Sequence, residues 1–343
     1  MAERKQEGED GFAHAREITP AMRRNPESED HRRHGHEADR PEQIPPRGWR
    51  QVAGRSWQRI GRDNISIISA GVAFYAFLAI PSALTALVAL YGLAFDPGDV
   101  QHQVAALQGV MPQEATQVVS RQLQTITARP NSTLGISFVV ALLVAVWGAR
   151  SGMSTLMTAL NVAYAEEERR GFVRFQASAF ALTGAAVLFA VVSIALIGVL
   201  PAVLGFLPFG SFGKAAASVL RWPLLLVLMV IGLAALYRYA PSRREAKWRW
   251  VSWGAAAATL LWIIGSALFS IYVSQFASYN KTYGSLGAVV VLMMWLYVSA
   301  FAVLLGAELN SELEHQTARD TTVGAPKPLG SRGAWAADTV TKD

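Results

Sequence analysis

Long stretches without an ionisable side chain alternate with short arginine-rich ones along this sequence. Ile65–Phe95 holds no Asp, Glu, Lys or Arg, and Asn131–Ala165 holds only Arg150. Phe175–Gly213, Trp222–Tyr237, Trp250–Asn280 and Thr282–Ala307 repeat the pattern, with Pro201 and Pro208 marking a loop at the end of the first of these. The short Trp222–Tyr237 run can be extended past Arg221 through Ala215–Leu220. Crossing ~30 Å of hydrocarbon takes about 20 helical residues. The pattern therefore predicts an all-α, polytopic membrane protein with six transmembrane helices. They are placed near residues 66–93, 134–163, 175–200, 219–239, 250–276 and 283–309.

Between these helices lies one long connection, 96–130, expected outside the membrane as a short helical hairpin or lid. Residues 1–47 and 316–343 are polar and are expected to be disordered cytoplasmic tails, flanking a membrane domain at 64–315. His31, His34 and His36 in the first tail read as polar filler rather than a metal site. In the segment 48–63, Trp49, Val52, Ala53, Trp57 and Ile60 share one helical face, with Arg50, Arg55, Arg59 and Arg62 away from it. That is the pattern of an amphipathic helix lying on anionic headgroups. A helix packed on the cytoplasmic loops is the alternative.

Composition supports the membrane reading. Charged residues are 16% of the chain, against about 25% in an average soluble protein. The short loops assigned to the inside carry Arg169, Arg170, Arg174, Arg238, Arg243, Arg244, Lys247 and Arg249. Those assigned to the outside carry Arg121, Arg129, Lys214, Arg221 and Lys281. This asymmetry puts both termini in the cytoplasm. With no cysteine, thiolate metal sites and thiol nucleophiles are excluded. The sequence has no P-loop, HExxH, GxSxG elbow or paired-carboxylate motif, so no enzymatic activity, metal or cofactor is expected.

Two ionisable groups interrupt the apolar helices, and such groups default to functional hypotheses. Arg150 lies in the second helix, among Gly148, Ser151, Gly152, Ser154, Thr155, Thr158 and Asn161. Glu308 lies at the inner end of the sixth. Together with Tyr75 they make up a candidate polar pathway of Arg150, Asn161, Tyr75 and Glu308. Close helix packing at the glycines and snorkelling of the charges are the alternatives. Pro81 should kink the first helix. Lys281 and Tyr283 are placed at an external mouth.

Several of these segments resemble the YihY/BrkB family of bacterial inner-membrane proteins. The matching stretches are Ser69 to Tyr75 (SAGVAFY) through Pro81, Trp147 to Tyr164, Tyr237 to Pro241 (YRYAP), and Tyr279 to Ala288 (YNKTYGSLGA). Trp295-Leu-Tyr and Gly306 to Asn310 (GAELN) complete the resemblance, which spans about residues 48–315. Ile80 stands where the family often has serine before the proline. The resemblance implies six helices with both ends in the cytoplasm. It also carries labels of virulence factor and of a tRNA-processing ribonuclease. The second label fits poorly, because phosphodiester hydrolysis calls for clustered carboxylates or histidines.

The function expected is that of a multi-pass inner-membrane transporter or translocator of lipids or other anionic substrates. A non-transporting scaffold tied to virulence or envelope integrity is the alternative. Expected partners are membrane lipids, with anionic headgroups at the cytoplasmic face, and no nucleic acid. A homo-oligomer is compatible with the pattern.

Overall fold

The computed structural model describes residues 34–94, 131–199, 211–275 and 285–341. Helix α1, Pro46–Arg62, opens on a proline, whose fixed φ suits a first helical turn. It closes at Asp63, whose N–H donates back to the Arg59 carbonyl. Asn64 follows with φ 52°, the left-handed region that short polar side chains tolerate. The axis turns by 66° there into α2, Ile65–Ala94, which continues past Pro81 as one helix. Then come α3 (Asn131–Ala163), α4 (Phe172–Ile194, extended by a π-helical turn at Ala195–Val199) and α5 (Ser211–Tyr239). Helices α6 (Trp248–Gln275) and α7 (Ser285–His315) follow, and α8, Trp335–Asp338, is one turn. The expected all-α class is what the structure shows, with one isolated β-bridge, Ala246 to Thr322, among the described residues.

Among the described residues, four helices are long and apolar enough to cross a membrane: Phe172–Ile197, Val219–Tyr239, Trp248–Ser274 and Gly287–His315. A fifth is added if the bent pair Pro46–Arg62 and Ile65–Pro81 counts as one span. Their outer faces are apolar. Leu188 and Ile194 on α4, Val219 and Val227 on α5, and Leu260 and Leu268 on α6 are all more than half exposed. Lipid is the solvent in which such faces are stable. The expected loop at 96–130 and the mouth residues Lys281 and Tyr283 lie outside the described residues.

Helices α2 to α7 pack in a ring in chain order, each on the next, and α7 closes the ring against α2 while also touching α3. Among the described residues, the thinnest seam in the ring is between α4 and α5, and the buried core gathers at the end that carries the termini. Ile65, Leu160, Tyr164, Ala179, Tyr237, Val251, Ala255 and Leu304 come from the terminus-proximal turns of all six helices.

Without a hydrophobic drive between helices in lipid, close packing depends on small residues. Gly254 of α6 and Gly306 of α7 meet backbone to backbone: a Cβ on Gly254 would collide with the Gly306 carbonyl oxygen. A Cβ on Gly306 would lie 2.5 Å from both the Gly254 carbonyl oxygen and the Tyr237 hydroxyl. Asn310, one turn on, accepts the Gly254 N–H at 2.7 Å and donates to the Val251 carbonyl at 3.1 Å. Tyr237 donates to the Val303 carbonyl at 2.7 Å, so three helices are joined at this level.

Two sequence expectations change. Residues 316–341 are not a disordered tail but a folded knot over the terminal end of the bundle. Its centre is Arg332, 5% exposed, which donates to the carbonyls of Ala318, Arg319, Lys327 and Ala337. The Asp338 carboxylate accepts the N–H groups of Arg332 and Gly333. Side chains here organise backbone groups, which a count of apolar residues does not register. Residues 34–47, assigned to the other tail, pack under the knot, with Ala38 and Ile44 buried. The His36 carbonyl accepts the Ala318 N–H at 2.8 Å.

Helix α1 also differs from its expected orientation. Trp57 is 76% exposed, but Val52 is buried against Trp250 and Leu313, and Trp49 packs on Trp253. Arg55 and Arg59, expected to lie away from the apolar face of a helix resting on anionic headgroups, turn toward α7. Carboxylates on α7 draw them there.

Substituting Gly306→Ala should destabilise the protein by about 1–3 kcal/mol or more, the usual cost of overpacking. Gly61→Ala, which meets nothing within 4 Å, should be neutral or slightly stabilising. Thermal unfolding in detergent measures both, and equal effects would remove the close crossing from the account.

Candidate functional site

The terminal end of the bundle holds a layer of buried charge that begins on α7. This helix runs about two turns beyond the expected residue 309 and carries Glu308, Glu312 and Glu314 with it, each almost fully buried. Arg59 of α1 meets Glu312 at 3.1 Å and Glu308 at 3.3 Å, and its Nε bonds Asp63 at 3.1 Å. It also donates to the Ser311 hydroxyl at 3.0 Å and stacks on Trp335 of the knot. Arg55, one turn earlier, reaches the other Glu312 oxygen at 2.5 Å and Gln316 at 2.5 Å.

A second pair lies beside the first. Arg243, from the α5–α6 connection, and Glu314 are both fully buried and bonded at 2.6 Å. The Arg243 guanidinium lies 4.6 Å above the Tyr164 ring. Thr321 of the knot donates to the other Glu314 oxygen at 2.7 Å. Burial lowers the affinity of the Arg243 guanidinium for its proton, but Glu314 and Tyr164 outweigh that and raise it above the ordinary range.

The α3–α4 connection completes the layer. Asn161 lies here: its side chain accepts the Ser242 N–H at 2.7 Å and donates to Glu168 at 3.0 Å. Arg170 grips Glu168 at 2.7 Å and the Ala240 carbonyl at 2.9 Å. Burial works to raise the Glu168 carboxyl, but the bonds from Arg170 and Asn161 prevail and hold it down at about 2. Glu166 is raised above the ordinary carboxylate range, because burial outweighs the Trp335 N–H that it accepts at 2.6 Å.

The sequence-selected residues are thus not brought together. Glu308 joins Arg59, and Asn161 joins the loops. Tyr75 is 44% exposed and meets Phe74 edge to face. Arg150 instead bonds Gln176 of α4 and stacks on the exposed Trp147. The hydroxyls expected to line a cavity around it return to their own helix: Ser151 to the Trp147 carbonyl, Thr155 to that of Ser151, and Thr158 to that of Ser154. Gly152 packs against the α2 backbone at Tyr75 and Ala76.

Sequence reasoning missed Arg55, Arg59, Gln176, Arg221, Arg243 and Trp335. Arg221 of α5 lies 3.5 Å from the Ile197 carbonyl, in the π-helical turn of α4, and stacks on Trp222. Arg150 and Arg221 therefore hold α4 near its two ends, from α3 and α5. Each keeps a buried Nε–H without an acceptor among the described residues. The rise from Gln176 to Ile197 is roughly 31 Å at ~1.5 Å per residue, close to the hydrocarbon thickness.

The family described as virulence factor BrkB matches residues 56–329. The chain is 33% identical over 251 residues to the ribonuclease-like protein YfkH of Bacillus subtilis, covering 71% of this chain and 88% of that one. A UPF0761 membrane protein of Idiomarina loihiensis is 34% identical over 97 residues, 28% of this chain and 34% of its own. One of Vibrio cholerae is 33% identical over 117 residues, 33% of this chain and 39% of its own. No solved structure matches.

Arg59→Ala should cost about 3–5 kcal/mol, because it leaves buried carboxylates without their partner. Thermal unfolding would show this, and a near-neutral variant would mean that the cluster is hydrated rather than buried. Acid should weaken the Glu168 clamp. A carboxyl lowered from 4.5 to about 2 gives stability that is present above pH 4.5 and lost as the pH falls toward 2. Glu168→Gln should make unfolding less sensitive to pH across that window, and an unchanged profile would exclude the clamp.

Proposed function

The chain belongs to the BrkB virulence-factor family of membrane proteins, and on that premise we propose that it translocates anionic amphiphiles, such as phospholipids, along α4. One observation carries this reading: α4 is held near both ends by an arginine from a neighbouring helix, each with a spare buried donor. Charge-assisted bonds from guanidinium groups suit phosphate. The thin α4–α5 seam and the apolar flank of α4 suit acyl chains that stay in lipid while a headgroup passes. Arg150 and Arg221, each beside an exposed tryptophan, would receive headgroups at the two interfaces.

On this reading α2 to α7 are six spans of a bacterial inner-membrane protein, with both termini in the cytoplasm and the charged layer at that face. A reporter fused after residue 315 should then register cytoplasm, and one inserted near Gln113 the outside. We read the chain as non-catalytic, although one relative bears a ribonuclease-like name. Purified protein should leave tRNA precursors uncut. The scaffold reading draws on the knot at residues 316–341, a folded surface at the same face.

Reconstitution into liposomes with a fluorescent phospholipid separates the two. Translocation should exceed that of protein-free vesicles, and Arg150→Ala or Arg221→Ala should slow it about tenfold or more, the loss expected for a charged hydrogen bond of ~1.5–3 kcal/mol. Arg150→Lys should recover part of the rate, since the planar fork is lost. Folded protein that moves no lipid would favour the scaffold.

A further inference from the structure

Where α1 ends against α7, the carboxylates of Asp63, Glu308 and Glu312 all converge on the Arg59 guanidinium, at 3.1, 3.3 and 3.1 Å. Arg55 brings the second positive charge, directed at Glu312. From α7, His315 stands with its Nδ1 3.7 Å from Glu312. Tyr164 faces the group from the end of α3, and behind it Arg243 and Glu314 are paired with each other. With every acid ionised, three carboxylates face two guanidiniums.

Glu308 is where the excess falls. Its side chain is fully buried, and neither of its oxygens accepts a hydrogen bond from a described residue. The Arg59 contact has the distance of an ion pair without the direction of a bond. The Asp63 carboxyl shares the same guanidinium, on the Arg59 Nε where Glu308 lies against Nη1. Two carboxyls crowded on one buried guanidinium do not both ionise readily, and a proton on one of them relieves the repulsion.

We propose that Glu308 and Asp63 form a proton-binding site, holding one exchangeable proton between them at the α1–α7 junction. The ligand is a proton taken from water at the terminal end of the bundle. The bond formed is O–H on Glu308, which then donates to an Asp63 oxygen while Asp63 keeps its bond from Arg59. The three acids then carry two negative charges, matching Arg55 and Arg59. Asp63 ends α1 immediately before the Asn64 bend, so the proton sits against the 66° turn between α1 and α2. Its departure leaves two adjacent negative groups, which push the end of α1 away from α7. The site does not depend on lipid translocation.

Infrared difference spectroscopy of the full chain in lipid nanodiscs, titrated across neutral pH, tests it. The expected result is a protonated-carboxyl stretch that Glu308→Gln abolishes. Asp63→Asn should also remove it at neutral pH, because two carboxylates then face two arginines and the excess is gone. This variant keeps the test decisive if Glu308→Gln does not fold. Absence of the band from the wild-type protein, including the case of the proton residing on His315, overturns the site. So does a band that persists in Glu308→Gln or is unaltered by Asp63→Asn.

Discussion

The Arg59 contact with the end of α7 is the constraint around which the terminal half of the molecule is arranged. A helix that carries three buried glutamates into a packed layer must find countercharge for them, since a lone buried charge costs several kcal/mol. Helix α1 supplies Arg55 and Arg59, the α5–α6 connection supplies Arg243, and the knot supplies Thr321 and the Trp335 ring. Each of these segments is irregular or short, and each is held at this end of the bundle by what it gives to α7.

The two halves of the bundle are therefore stabilised by different means. Near the termini, polar networks and the Gly254–Gly306 crossing bring helices into contact through backbone and charge. Farther along, α4 and α5 present Leu188, Ile194 and Val227 outward and share few contacts with each other. Among the described residues, the polar networks lie at the terminal end and the α4–α5 seam lacks such ties along its apolar length.

Most of the helices were legible in the sequence because a span must be apolar over its whole length, whatever it packs against. The sixth extended past its expected end because Glu312 and Glu314 look like a polar terminus until their partners are known. Arg55 and Arg59 stand one turn apart, as do Glu308 and Glu312, and this matched spacing was the available signal for the junction. It was overlooked because α1 was assigned to lipid rather than to protein. The knot at residues 316–341 was invisible to composition, since Arg332 and Asp338 build it from backbone hydrogen bonds. Arg150 stands out in the sequence as a lone charge in an apolar run, but its Gln176 partner could be chosen only in three dimensions.

The separation in sequence between Arg59 and its acceptors has a consequence during biosynthesis. About 250 residues are made between Arg59 and Glu312. Once Ala94 has been made, the first two helices are complete while the arginines of α1 still have no α7 carboxylates to meet. Arrival of α7 supplies those carboxylates, closes the ring against α2, and fixes α1 on protein.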